Sequence, residues 1–135
     1  MGGLEAARPG AAFAMAEALE RSGHLGMLID QHFIKGVVTQ FLGRPALTNP
    51  IMGKFVRRFD CPVLGSRVIR LNGARFRIEL TPPIVMPRDA NGEIDVTGAM
   101  QAMTDVVSDW VREHPEQWMW MHRRWRPQFI KPQKS

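Results

Sequence analysis

One cysteine, Cys61, stands in a chain of 135 residues. That excludes an internal disulfide framework and a cysteine-rich zinc site, and it fits a reducing compartment. No apolar run approaches the roughly 18–20 residues that cross a bilayer. Residues 1–10 lack the basic start and apolar stretch of a secretory leader. There is no glycine-rich phosphate loop and no serine nucleophile elbow. His24, His32, His114 and His122 show no metal-ligand spacing with a carboxylate or with one another, so neither a metal nor another cofactor is expected. Acid is missing from the C-terminal end: all 13 Asp and Glu precede His122. So do thirteen of the 18 Lys and Arg, which makes residues 1–121 neutral. The formal charge of +5 therefore belongs to Arg123, Arg124, Arg126, Lys131 and Lys134. Such an end suits an anionic partner or a solvated terminus.

What remains is ordinary globular material, 44% hydrophobic and 23% charged. Residues 11–22 are rich in Ala, Met, Glu and Leu and predict a helix stopped by Gly23. Residues 24–30 are a continuous apolar run ending in Asp30-Gln31, which predicts a buried strand with polar residues at its carboxyl end. Beyond Asp30 the chain reads as a loop. Asn49-Pro50 opens a second helix, with Ile51, Met52, Phe55, Val56 and Phe59 at helical spacing. Residues 61–64 then predict a second buried strand, parallel to the first. Asn72-Gly73 predicts a two-residue hairpin turn, with Ile69 opposite Phe76, Arg70 opposite Arg75 and Leu71 opposite Ala74. Its alternating second arm puts Phe76, Ile78 and Leu80 on one face and Arg75, Arg77 and Glu79 on the other. The basic face meets either solvent or an anion. Residues 95–114 predict a long helix capped by Asp95 or Thr97, with Ala99, Met103, Val106, Val107, Trp110 and Val111 inward.

Chemistry is sparse. Asp30 with His32 offers a weak acid–base pair. Trp118, Trp120 and Trp125 alternate with arginines. That pattern either packs a final turn on the sheet or meets bases or a membrane surface.

The stretch Pro115-Glu116-Gln117-Trp118-Met119-Trp120-Met121-His122-Arg123-Arg124-Trp125 resembles the C-terminal signature of the lipid A biosynthesis acyltransferases. These are lauroyl and myristoyl transferases of the lysophospholipid acyltransferase superfamily. Asp30-Gln31, Gly36, Val38, Phe41, Gly43, Pro45-Ala46 and Thr48 fall in the family's order and spacing. Cys61-Pro62-Val63 resembles a later proline-containing strand, and Arg70 the arginine after it. The similarity runs over residues 11–125. Leu42, Trp118 and Trp125 replace residues that are commonly aromatic in the family. Family enzymes use a histidine followed after four residues by a carboxylate. Here Ile29, Val37, Met119 and Pro127 stand at those positions after the four histidines, so no catalytic residue is assigned.

The resemblance implies an α/β fold: the C-terminal half of a glycerolipid-acyltransferase-like mixed sheet with flanking helices, in α-β-α-β-β-α order. Residues 1–10 are expected to be a disordered start, 11–125 the half-domain and 126–135 a basic tail. The implied reaction moves a fatty acyl group from an acyl carrier protein thioester to a hydroxyl of a phosphorylated glycolipid. Asp30, Gln31, Arg70, Arg123 and Arg124 are the implied substrate-binding residues, Arg123 and Arg124 either binding a phosphate or holding the C-terminal turn in place. The implied place is the cytoplasmic face of the bacterial inner membrane, held peripherally at an anionic surface, and no nucleic-acid partner is implied. A chain of this content is expected to start in mid-domain, as a truncation or fragment, and to be inactive alone. The rival is a non-catalytic module whose tryptophan-rich basic end docks on anionic membrane or nucleic acid. A half-sheet that cannot fold by itself is a third outcome.

Overall fold

A computed structural model describes residues 10–130. Residues 1–9 of the expected disordered start and the last part of the basic tail, with Lys131 and Lys134, lie outside the described residues. Helix α1 covers Ala11–Glu20. Its end is a left-handed Ser22 (φ 58°) followed by Gly23, whose N–H donates to Ala18 O at 2.8 Å. A Cβ at Gly23 would lie 2.6 Å from that oxygen, so the glycine stop has a steric cause.

Strands β1 (His32–Phe41) and β2 (Arg44–Thr48) form an antiparallel hairpin where a loop was expected. Leu42 and Gly43 join them, both at positive φ (52° and 77°), as a tight hairpin turn requires. Residues 33–36 bulge, so His32 and Val37 both lie opposite Thr48. Gly36 is forced there, because a Cβ would approach Thr48 O to 2.4 Å. Thr39, Phe41, Ala46, Leu47 and Thr48 are all buried.

Helix α2 (Ile51–Phe59) follows. Pro50 is the N-cap, one position later than expected, and Asn49 just before it still accepts from Ile51 N–H through Oδ1 at 3.1 Å. Gly53 is where α2 meets the long helix α3 (Val96–Glu113). A Cβ at Gly53 would be 2.8 Å from Val96 O, and its N–H reaches Met100 Sδ. Asp95 caps α3, accepting from Thr97 and Gly98 N–H at 3.1 and 3.0 Å. The inward face of α3 is rotated from the expected stripe: Thr104 and Ser108 are buried with Ala99, Met103 and Val111, while Val106, Val107 and Trp110 are half-buried. Both hydroxyls are satisfied by carbonyls one turn back, at 2.6 and 2.8 Å.

Strands β3 (Ser66–Arg70) and β4 (Phe76–Leu80) make a second antiparallel pair. The turn spans three residues, 72–74, closed by Leu71 N–H to Arg75 O at 2.9 Å. Arg70 therefore faces Phe76, and Ile69 faces Arg77. The expected Arg70–Arg75 pairing is not formed, and its repulsion is absent.

The molecule is α/β, but its strands make two separate two-stranded sheets and not one mixed sheet. The observed order is α-β-β-α-β-β-α. Residues 24–30 and 61–64 are not strands. Residues 24–31 make no backbone–backbone hydrogen bond among the described residues. The run is apolar enough for a buried strand, but a strand needs a ladder partner as well as composition. Residues 27–30 and 63–64 line one open cleft, and among the described residues Val63 O accepts only from Ile84 N–H, at 2.8 Å, outside any ladder.

Candidate functional site: an apolar cleft beside a basic turn

Two adjoining places carry chemistry. The first is the cleft, with a volume of about 270 Å³. Met27, Ile29, Met103, Trp110 and Trp118 give it apolar walls, and Asp30, Ser66, Arg67, His114 and Gln117 are its polar lining. Asp30 is held by Trp118 Nε1, which donates to Oδ2 at 3.1 Å. Arg67 lies opposite Glu79 in register and donates to it at 2.8 Å; it also donates to Glu113 of α3 at 2.6 Å. Its guanidinium sits 5.5 Å from the Trp110 ring centre. The Glu113 hydrogen bond raises the Arg67 pKa, and Arg67 in turn lowers that of Glu113. Gln117 clasps the Arg70 backbone, accepting its N–H at 2.8 Å and donating to its carbonyl at 3.3 Å.

His114 has carboxylates on both sides, with Glu116 at 3.4 Å and Glu113 at 3.7 Å. These separations exceed a hydrogen bond of about 2.7–3.2 Å, so neither carboxylate orients the imidazole as a catalytic partner does. Both acids are exposed.

The second place is the C-terminal turn. Arg124 is 0% exposed. It donates through Nη1 to Leu47 O at 2.7 Å and through Nη2 to Thr48 Oγ1 at 2.5 Å. Thr48 Oγ1 also meets Thr39 Oγ1 at 2.7 Å. The guanidinium lies 5.3 Å from the Phe41 ring centre. Burial lowers its pKa, and the Asp30 carboxylate opposes that shift. Trp125 Nε1 donates to Phe41 O, and Trp118 and Trp125 pack around Phe41 at 5.3 and 5.5 Å between ring centres. The signature turn is thus fastened onto β1–β2, and Trp118 and Trp125 are packing residues. Trp120 is 53% exposed, with its Nε1 tied to Pro115 O at 2.6 Å.

The predicted site residues are therefore divided. Trp118 holds Asp30, whose carboxylate acts on the Arg124 guanidinium. Gln31 and Arg123 are exposed. Arg70 lies on the second hairpin, linked to the cleft through Gln117, with its own guanidinium over Phe76 at 5.5 Å. Sequence reasoning did not single out Arg67 or Gln117 as cleft residues. Arg67 was findable only by placing Glu79 opposite it, which the two-residue turn prevented.

An α/β layer with an apolar cleft and a basic, tryptophan-rich turn is the class of domain these features define. Residues 7–127 match the family model described as bacterial lipid A biosynthesis acyltransferase. The chain belongs to that family. A comparison with curated proteins found no match. No helix among the described residues is long and apolar enough to cross a membrane.

Proposed function

We propose that this chain supplies the cleft and acceptor-side wall of an acyltransferase acting in lipid A synthesis. The full reaction takes a fatty acyl group from an acyl carrier protein thioester to a hydroxyl of a phosphorylated glycolipid. The hydroxyl oxygen forms the new ester bond, the thioester C–S bond breaks, and the hydroxyl proton passes by way of a general base to the departing thiolate. The observation that carries the reading is the family match across residues 7–127. The apolar cleft supports it, being suited to a hydrocarbon chain.

Asp30 is the acceptor-side residue at that cleft, and Gln31, Arg70 and Arg123 extend the polar wall around it. Arg124 contributes by fixing the turn, since both its Nη groups are engaged with β2. None of the four histidines heads a His-x4-carboxylate pattern, so the purified chain has no transferase activity. The test mixes purified chain with acyl carrier protein charged with a labelled fatty acid and a phosphorylated glycolipid acceptor. Binding of a fluorescent fatty acid, weakened by Trp110→Ala, with no labelled ester formed, is the expected result. Labelled ester overturns the inactivity. Absence of fatty-acid binding overturns the cleft assignment.

A peripheral position on the cytoplasmic face of the inner membrane accompanies this reading. Met119, Trp120 and Met121 are 73%, 53% and 94% exposed beside exposed Arg123. Such a turn suits an anionic interface, where rings and thioethers enter the headgroup layer and arginine meets phosphate. Cosedimentation with anionic vesicles falls in a Trp120→Ala, Met121→Ala variant if this is right. Unchanged cosedimentation sinks it.

A further inference from the structure

Strand β4 has one paired edge and one open edge. The bonds that flank its ladder fix which residues serve each edge. Leu71 N–H donates to Arg75 O, and Thr81 N–H donates to Gly65 O, both at 2.9 Å. In an antiparallel pair, alternate residues turn both backbone groups toward the partner, and the residues between them turn both away. Arg77 and Glu79, opposite Ile69 and Arg67, are therefore bonded to β3. Phe76, Ile78 and Leu80 turn N–H and C=O outward, and no other backbone group among the described residues bonds to them. The outer edge of β3 differs, because Gln117 holds both backbone groups of Arg70 there. Strand β4 carries no proline, lysine or bulge to blunt its open edge. From this ladder and the order Phe76-Arg77-Ile78-Glu79-Leu80, we propose that β4 pairs antiparallel with β4 of a second copy of this chain, about a two-fold axis at Ile78.

The strand is complementary to itself in that register. Phe76 faces the partner's Leu80, Arg77 faces the partner's Glu79, and Ile78 faces the partner's Ile78. A two-fold contact requires one patch that matches itself in this way. The outward backbone groups of Phe76, Ile78 and Leu80 are the bonded positions, so each free N–H and C=O along the edge finds a mate. The Arg77–Glu79 pairs fall at the non-bonded positions, where facing Cα atoms come to about 4.5 Å and side chains lie closest. Both side chains are within reach of solvent, at 54% and 34% exposure. Neighbouring registers fail. An axis at Arg77 sets two arginines face to face, and an axis at Glu79 does the same with two glutamates. The second also brings Pro82, which has no N–H, to a bonded position. The charges thus select the register, and the backbone bonds hold it. Two separate two-stranded sheets become one four-stranded sheet across the axis. The pairing does not depend on the acyltransferase reading.

The test follows the full chain over a wide concentration series. Sedimentation equilibrium reads the mass, and amide hydrogen exchange by NMR reads the edge. A reversible monomer–dimer equilibrium is expected. As the dimer forms, exchange at Phe76, Ile78 and Leu80 slows by a larger factor than at Arg77 and Glu79, which β3 already holds. Arg77→Glu opposes like charges twice and weakens the dimer roughly tenfold. Arg77→Lys keeps the charge and the dimer. Arg75→Glu makes the same change in net charge outside the paired segment and leaves the dimer unchanged. The exchange comparison needs no variant and stands even if one fails to fold. A monomer at every concentration, equal slowing at all five amides, or association as strong in Arg77→Glu as in the parent overturns the pairing. Equal weakening by Arg75→Glu and Arg77→Glu overturns it too.

Discussion

The two hairpins are built from similar strands and meet opposite fates. In β1–β2, Phe41, Ala46 and Thr48 are fully buried and Leu47 nearly so. Helix α3 lies against this hairpin, and Arg124, Trp118 and Trp125 close it. In β3–β4 only Ile69 is buried, while Val68, Phe76, Ile78 and Leu80 are 59%, 57%, 71% and 67% exposed. Alternation determines which residues share a face; it does not determine whether anything covers that face. Cover comes from parts of the chain distant in sequence. For β1–β2 it is a turn more than seventy residues later, and no such element reaches the outer face of β3–β4 among the described residues.

The largest test of this contrast is a pair of truncations. Phe41→Ala removes a buried ring that two tryptophans and Arg124 surround, and should cost about 3–5 kcal/mol of stability. Phe76→Ala removes a half-exposed ring and should cost less than about 1 kcal/mol. Denaturant unfolding of both variants measures the difference, and equal losses would erase the contrast. Next in size is Arg124→Met. It leaves Leu47 O and Thr48 Oγ1 without their buried donor, a loss of roughly 2–3 kcal/mol. Amide exchange should then rise in β1–β2 and stay unchanged in β3–β4.

Acid should separate the hairpins in the same direction. His32 starts β1, and its pKa lies below the ordinary imidazole value because of burial and then Arg126, Arg124 and His122. The unfolded chain therefore binds the extra proton more readily than the folded one. Stability from this group is complete above pH ~6.5 and declines as pH falls below it. His32→Gln should flatten the fall in melting temperature between about pH 6.5 and 5.5. An unchanged slope in that variant would remove His32 as the cause.

How much was legible follows the same division between local and distant. Helix α3 and its Asp95 cap were readable, because a cap and a 3.6-residue period lie within the element itself. The Gly23 stop was readable for the same reason. The β1–β2 hairpin was hidden by Leu42: its positive φ of 52° is a conformation that no preference for leucine signals. The second hairpin was recognised, but its turn has three residues, and one added residue exchanges every cross-strand partner. Arg70 thereby moved from facing Arg75 to facing Phe76. Residues 24–30 looked like a strand by composition, yet pairing is a property of neighbours and not of the run. Arg124 read either as a phosphate ligand or as a holder of the C-terminal turn, because bidentate guanidinium pairing suits both. Its engagement with Leu47 and Thr48, 77 and 76 residues away, has no local signature.

The smallest expected effect is also the sharpest test of the exposed face. Val68 and Ile78 face each other across β3–β4. Replacing both with threonine keeps the β-branched shape and strand propensity while removing apolar surface from water. Because both are exposed, stability should change by less than about 1 kcal/mol. Self-association should fall instead, since an uncovered apolar sheet face is an aggregation surface. Light scattering across a concentration series reads the second effect, and denaturant unfolding at the lowest concentration reads the first. A stability loss above about 2 kcal/mol at that dilution is the size expected from a buried pair. It would mean that the face is covered in solution, and the two hairpins would then differ in what covers them and no longer in whether they are covered.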